Sequence, residues 1–162
     1  MGRPDGTKIK VDSFKKLEPY AMPNYKDGIV YHTPQYDLSK TLPFIEKYNK
    51  EHNLTRKNRL TLFHIFIAMG VRSTALHPEA NRFIKGRKYW QRNEISFSFV
   101  IKKDLTYNSP EIFAKMRFSP FETLETVRKK IYAHVNRERS DEKTETKAEQ
   151  DFFGKLPRFI LL

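Results

Sequence analysis

Residues 59–103 read RLTLFHIFIAMGVRSTALHPEANRFIKGRKYWQRNEISFSFVIKK, and the fold turns on how that run divides. Its first part, residues 60–71, is the longest apolar run of the chain, about 12 residues with His64 inside it. It is apolar nearly all round, which predicts a central buried helix from Arg59 to about Leu76, capped by Asn58. His77-Pro78 ends that helix, because a residue before proline avoids the helical region. Beyond a basic, aromatic turn, residues 94–103 alternate strictly. Ile95, Phe97, Phe99 and Ile101 point one way and Glu94, Ser96, Ser98 and Lys102 the other, which predicts a half-buried strand.

The flanking sequence supplies further elements. Asp12 is placed to N-cap a short helix whose apolar side is Phe14, Leu17 and Ala21. Residues 28–36 (GIVYHTPQY) are β-rich, with Pro34 marking an edge or an exit. Leu42, Ile45 and Tyr48 recur at helical spacing and predict a helix over 41–52. Ser119-Pro120-Phe121-Glu122 has the form of a capping box with proline at the first helical position. The helix it opens buries Leu124, Val127, Ile131 and Val135. Residues 140–150 read as a charged, mobile stretch or a frayed helix end. Phe152, Phe153, Leu156 and the final Phe159-Ile160-Leu161-Leu162 begin a new apolar element, so the chain is expected to be the first part of a longer one.

Composition narrows the function classes. The chain has 162 residues, which suits one domain, and a formal charge of +12. Aromatic residues make up 14 %, too many for a disordered tail. There is no cysteine, which excludes disulfide scaffolds, thiolate metal sites and cysteine nucleophiles. The N-terminus lacks the apolar core of a secretory signal, and no run approaches the roughly 20 residues of a bilayer span. A cytoplasmic protein is the expectation. The sequence contains no HExxH, Walker loop, GxGxxG or GxSxG.

The positive charge is concentrated. Residues 58–103 hold nine basic and two acidic side chains. Arg82, Lys85, Arg87, Lys88 and Arg92 form its centre, with Phe83, Tyr89 and Trp90 interleaved. Three readings fit that cluster. It is a solvated turn beside a core strand, with Tyr89 and Trp90 packing inward. It is a seat for a small polyanion. Or it is a nucleic-acid groove, in which cations meet phosphates and rings stack on bases. No RRM, KH or zinc-finger signature accompanies it.

The order of these elements resembles the chloramphenicol acetyltransferase fold, shared with the catalytic domain of the dihydrolipoamide acyltransferases of 2-oxo-acid dehydrogenase complexes. The resemblance is carried by residues 62–68 (LFHIFIA) leading into His77-Pro78-Glu79-Ala80-Asn81-Arg82-Phe83. Ile84-Lys85-Gly86-Arg87 and the strand 94–103 follow, and Tyr36-Asp37-Leu38-Ser39 stands before a helix. The similarity runs from about residue 12 to residue 140. It implies an α/β fold, a mixed sheet packed with helices, present here only in part. It implies trimers with active sites between subunits, and acyl transfer from coenzyme A or a lipoyl thioester to a thiol or hydroxyl. No metal is implied. His32 would border the substrate channel, and the resemblance allows Arg82, Lys85, Arg87, Lys88 and Arg92 as candidates for an anionic ligand, the phosphates of coenzyme A.

The sequence departs from the family at its catalytic motif, His-x-x-x-Asp-Gly. Four residues after His32, His52, His64, His77 and His134 stand Tyr36, Arg56, Ala68, Asn81 and Glu138. There is no lipoyl-attachment Asp-Lys-Ala either. The expectation is therefore an N-terminal part of a coenzyme-A-dependent acyltransferase-like protein with no catalytic residue of its own, inactive alone. The alternatives are a non-catalytic oligomeric relative and a small basic nucleic-acid-binding protein. His64 reads as a core histidine, His77 as a helix-end residue, and Glu122 and Glu125 as helix-surface carboxylates.

Overall fold

The computed structural model of the chain describes residues 3–103, 106–107, 109 and 111–139. The expectations for 140–150 and 151–162 lie outside the described residues. The described part is a mixed α/β structure with four α-helices and two small antiparallel sheets.

The central helix α3 spans Leu62–Leu76. It begins later than Asn58 suggests, because Asn58 is used elsewhere. The Asn58 Oδ1 accepts the Thr55 backbone N–H at 2.7 Å and closes a turn before the helix. Thr61 takes the N-cap position instead, its N–H donating to His64 Nδ1 at 3.1 Å. The helix ends at His77-Pro78 as predicted, with a single 3₁₀ turn over Pro78–Asn81. It is not buried all round. His64, Ile67 and Val71 are buried, whereas Phe63, Phe66 and Met69 are exposed, Phe66 by 42 %.

The predicted strand is present as β4, Ile95–Lys102, with the predicted faces. It pairs antiparallel with β5, Glu111–Phe118, from Ile95↔Phe118 to Lys102↔Glu111. Helix α4, Leu124–Arg139, packs with α3 over one face of this pair. Its start lies beyond the Ser119-Glu122 box. That segment does close a turn, the Ser119 N–H donating to Glu122 Oε1 at 3.4 Å. The helix itself is capped by Thr123 and Thr126, each backbone N–H donating to the other's hydroxyl, at 2.9 and 3.2 Å. Ile67, Val71, Ile95, Met116, Phe118, Val127 and Ile131 make the core between these elements. Each such side chain, fully buried, is worth roughly 1.5–3 kcal/mol.

Helix α2, Thr41–Glu51, buries Ile45 and is tied to the rest by polar contacts. The Asn49 amide donates to the Leu60 carbonyl at 2.9 Å and accepts the Leu60 N–H at 2.7 Å. Tyr48 Oη–H donates to Glu125 Oε2 at 2.7 Å. Glu125 also accepts from Arg128 Nε and Nη2 at 3.0 and 2.7 Å. Arg128 is buried and donates its remaining terminal nitrogen to the Asn58 carbonyl. Glu125 is thus a structural anchor rather than a free surface acid. Arg128 and, next, Tyr48 hold its carboxyl down at about 2.

A second sheet, in the order β1-β3-β2, is built from Gly6–Lys8 (β1), Arg82–Lys85 (β2) and Lys88–Arg92 (β3). Gly86 and Arg87, at φ 59° and 57°, make the two-residue turn between β2 and β3. Positive φ at both central residues matches the strand twist, and glycine meets it without a Cβ penalty. Trp90 packs inward as one reading required, and its indole N–H donates to the Lys85 carbonyl at 3.2 Å. Tyr89, one residue away, faces the opposite side and is half-buried. Helix α1, Ser13–Ala21, starts at Asp12, whose carboxylate accepts the Lys15 N–H at 2.9 Å.

The β-rich segment 28–36 differs from its reading. After a 3₁₀ turn over Tyr25–Gly28, residues 29–38 join no ladder among the described residues. Val30 and Tyr31 are 87 % and 91 % exposed. Strand propensity needs a partner edge to become a strand, and none of the described strands pairs with it.

Candidate anion-binding cleft beside the basic hairpin

The β2–β3 hairpin carries the basic cluster. Between α1, residues 28–30 and the hairpin lies an open cleft of about 1280 Å³. Small-molecule pockets usually enclose ~300–1,000 Å³, so this one is large. Lys15, Glu18 and Pro19 come from α1, and Gly28, Ile29 and Val30 form a second wall. The third wall is the hairpin, from Arg82 through Arg87 together with Tyr89.

Polar contacts fix the floor. The Tyr89 hydroxyl donates to Glu18 and ties α1 to β3. Burial, and then the Glu18 carboxylate, push the Tyr89 phenol up to about 12. Arg87 lies over the Tyr20 ring, 4.8 Å from its centroid, a cation–π contact that orients the turn against α1. Glu79 is held below its usual range by backbone hydrogen bonding and by His77, whose Nδ1 is 3.4 Å away. Among the described residues no carboxylate lies within ion-pair distance of Lys85 or Arg87.

The five cations of the sequence cluster do not share one site. Arg82, Lys85 and Arg87 line the cleft. Lys88 stands across the turn, opposite Lys85 in register. Arg92 belongs to a separate depression of about 290 Å³ with Asp5, Glu94, Lys115 and Arg117. Its guanidinium lies 4.7 Å from the Phe83 centroid, and Arg3 approaches the same ring at 5.4 Å. Arg3 in turn forms a two-point pair with Asp5, both contacts at 2.8 Å.

The histidines are dispersed. His32 sits in the exposed 29–38 stretch, two residues past Val30, and does not line the cleft. His64 accepts from the Thr61 N–H, which leaves its proton on Nε2, and stacks on Tyr132 at 5.1 Å. Burial, and then Arg128, hold it down at about 4, so it is a neutral core residue. His52 stacks on Tyr48 at 4.1 Å, His77 closes α3, and His134 lies in α4 with its charged form disfavoured by burial. Among the described residues, no histidine lines either depression.

Several residues of the cleft escaped the sequence reading. Glu18 and Lys15, and Tyr20 beneath Arg87, lie far from the hairpin in the chain, and no local pattern links them to it. Ile29 and Val30 carried a signal, β-propensity without a turn partner, but it pointed to a strand and not to a wall. No family model matches the chain, and no curated protein or solved structure matches it. No helix among the described residues is long and apolar enough to cross a membrane.

Proposed function

We propose that the chain is the N-terminal part of a coenzyme-A-dependent acyltransferase-like protein, and that it supplies an anion-holding wall rather than the catalytic base. One observation carries this reading. The stretch on which the resemblance rests folds as a helix stopped at His77-Pro78, a 3₁₀ turn, a basic hairpin and an alternating strand, and the hairpin borders a large open cleft. Lys85 and Arg87 at that mouth have no carboxylate partner among the described residues, and Lys88 adds a third cation at the tip. Such a group would hold phosphates by charge and hydrogen bonding. A general base is worth about 10²–10⁴-fold, and here it would come from elsewhere in the working assembly. By the same resemblance that assembly is a trimer in which donor and acceptor meet between subunits.

The nucleic-acid reading is disfavoured by the rings it needs. Phe83 is covered by Arg3 and Arg92, Tyr20 by Arg87, and Trp90 is buried. Few aromatic faces beside these cations are left for base stacking. Two measurements test the proposal. Calorimetric titration with coenzyme A is expected to show binding that weakens when Lys85, Arg87 and Lys88 are all changed to glutamate. Thiol release from acetyl-CoA with a panel of acceptors is expected to stay at the buffer rate. Absence of coenzyme A binding, or tighter and salt-resistant binding to an oligonucleotide, would overturn it.

A further inference from the structure

Four consecutive residues, Arg82, Phe83, Ile84 and Lys85, all line the cleft. Successive side chains of a strand point to opposite faces. A cavity touching all four therefore runs along the strand's edge and not across one face. β2 is such an edge, since the sheet order is β1-β3-β2.

The hydrogen-bond phase shows what that edge offers. The Ile9 N–H donates to the Tyr89 carbonyl at 3.1 Å, so Tyr89 directs its backbone groups toward the β1 side. Ile84 stands directly opposite Tyr89. Its N–H and C=O therefore point away from β3, into the cleft, and those of Arg82, two residues earlier, do the same. The opposite wall is Gly28, at the end of the 3₁₀ turn, and the chain that leaves it, which presents the exposed side chains of Ile29 and Val30.

From this juxtaposition we infer that the cleft receives an extended acidic peptide segment of another protein, which pairs with the free edge of β2 as an added strand. Backbone pairing along such an edge gives affinity, and the flanking side chains give selectivity. Here Arg82, Lys85 and Arg87 favour carboxylates, while Ile29 and Val30 favour apolar side chains on the alternate positions. The same cations repel a second copy of this basic edge, as lysines on natural edge strands do. The inference stands on the geometry of β2 and does not depend on the acyl-transfer reading.

The test uses a fluorescein-labelled peptide, Glu-Val-Glu-Val-Glu, followed by anisotropy, with Glu-Pro-Glu-Pro-Glu as a partner that keeps the charge and loses alternate N–H donors. Ile84→Pro is the informative variant. It removes an N–H that the β2–β3 ladder does not use, so the hairpin is expected to stand, as checked by circular dichroism and urea midpoint. The expected result is binding of the Glu-Val peptide, loss of about tenfold with the Glu-Pro peptide, and a similar loss in Ile84→Pro. The double change Lys85→Glu, Arg87→Glu, which leaves the edge intact, is expected to lower affinity as well. Coenzyme A is titrated separately into the unaltered protein, so failure of the proposed function is read apart from failure of this inference. No binding of the Glu-Val peptide would overturn the inference. So would equal binding of the two peptides, or an unchanged affinity in a folded Ile84→Pro, since the cleft would then read charge alone.

Discussion

The α3, α4, β4 and β5 layer and the α1, hairpin and 29–38 face follow different rules. In the first, alternation and helical spacing translate directly into burial. Ile112, Ala114, Met116 and Phe118 are buried at every second position of β5, and Val127 and Ile131 lie one turn apart on α4. In the second, large apolar side chains stay in solvent. Phe14, Leu17 and Tyr20 of α1 are 75 %, 64 % and 59 % exposed. Hydrophobic character alone does not tell the two apart. What separates them is whether a second element stands opposite to be packed against.

The sharpest way to break this contrast is a pair of truncations. Ile131→Ala, in the core, is expected to cost about 2–5 kcal/mol. Tyr31→Ala, on the other face, is expected to stay within about 0.5 kcal/mol. Urea midpoints measure both, and equal shifts would erase the distinction. Phe66→Ala should fall between them, below the ~3–5 kcal/mol of a fully buried phenylalanine, because its ring is partly in water.

Acid provides a second probe, confined to the packed layer. His64 is held at about 4 in the folded state, against roughly 6.5 unfolded. Its folded value is depressed, so the unfolded chain binds the proton first as pH falls. Stability is therefore full above the unfolded value and is lost as pH drops from about 6.5 toward 4, by on the order of 2–3 kcal/mol. Glu125, held at about 2, adds a further loss below the ordinary carboxylate range. Urea midpoints from pH 7 to 4.5 should show the His64 slope, and His64→Gln should reduce it to the part left by His134, whose charged form burial also disfavours. A slope identical in the variant would remove His64 as its source.

How much of this was legible follows the same line. The α3 stop at His77-Pro78, the faces of β4 and the Asp12 cap were readable, because each depends on neighbours in sequence. The start of α3 was not, since Asn58 chose Thr55 as its partner. β5 went unread because Phe113 stands on its solvent face while small Ala114 is buried, which blurs the alternation. The floor of the cleft, Tyr89 on Glu18 and Arg87 over Tyr20, joins residues more than sixty positions apart. Only three of the five expected cations met there.

Smaller effects refine the exposed face. Gly86→Ala places a Cβ at φ +59° and is expected to cost about 1 kcal/mol through the turn, read as a lower melting temperature. The exposed apolar side chains of α1 and residues 29–31 should make the protein self-associate. Light scattering is expected to show mass rising with concentration, and Phe14→Ser with Leu17→Ser should reduce it. A strictly concentration-independent monomer would mean that this surface does not self-associate.

The most direct measurement is a two-dimensional ¹⁵N NMR titration of the chain with coenzyme A. Amide shifts are expected along the cleft, at Lys15, Glu18, Ile29, Val30 and from Arg82 to Lys88, with the β4–β5 layer unchanged. Shifts centred on Lys115 and Arg117, or no shifts at saturating ligand, would contradict the proposed function.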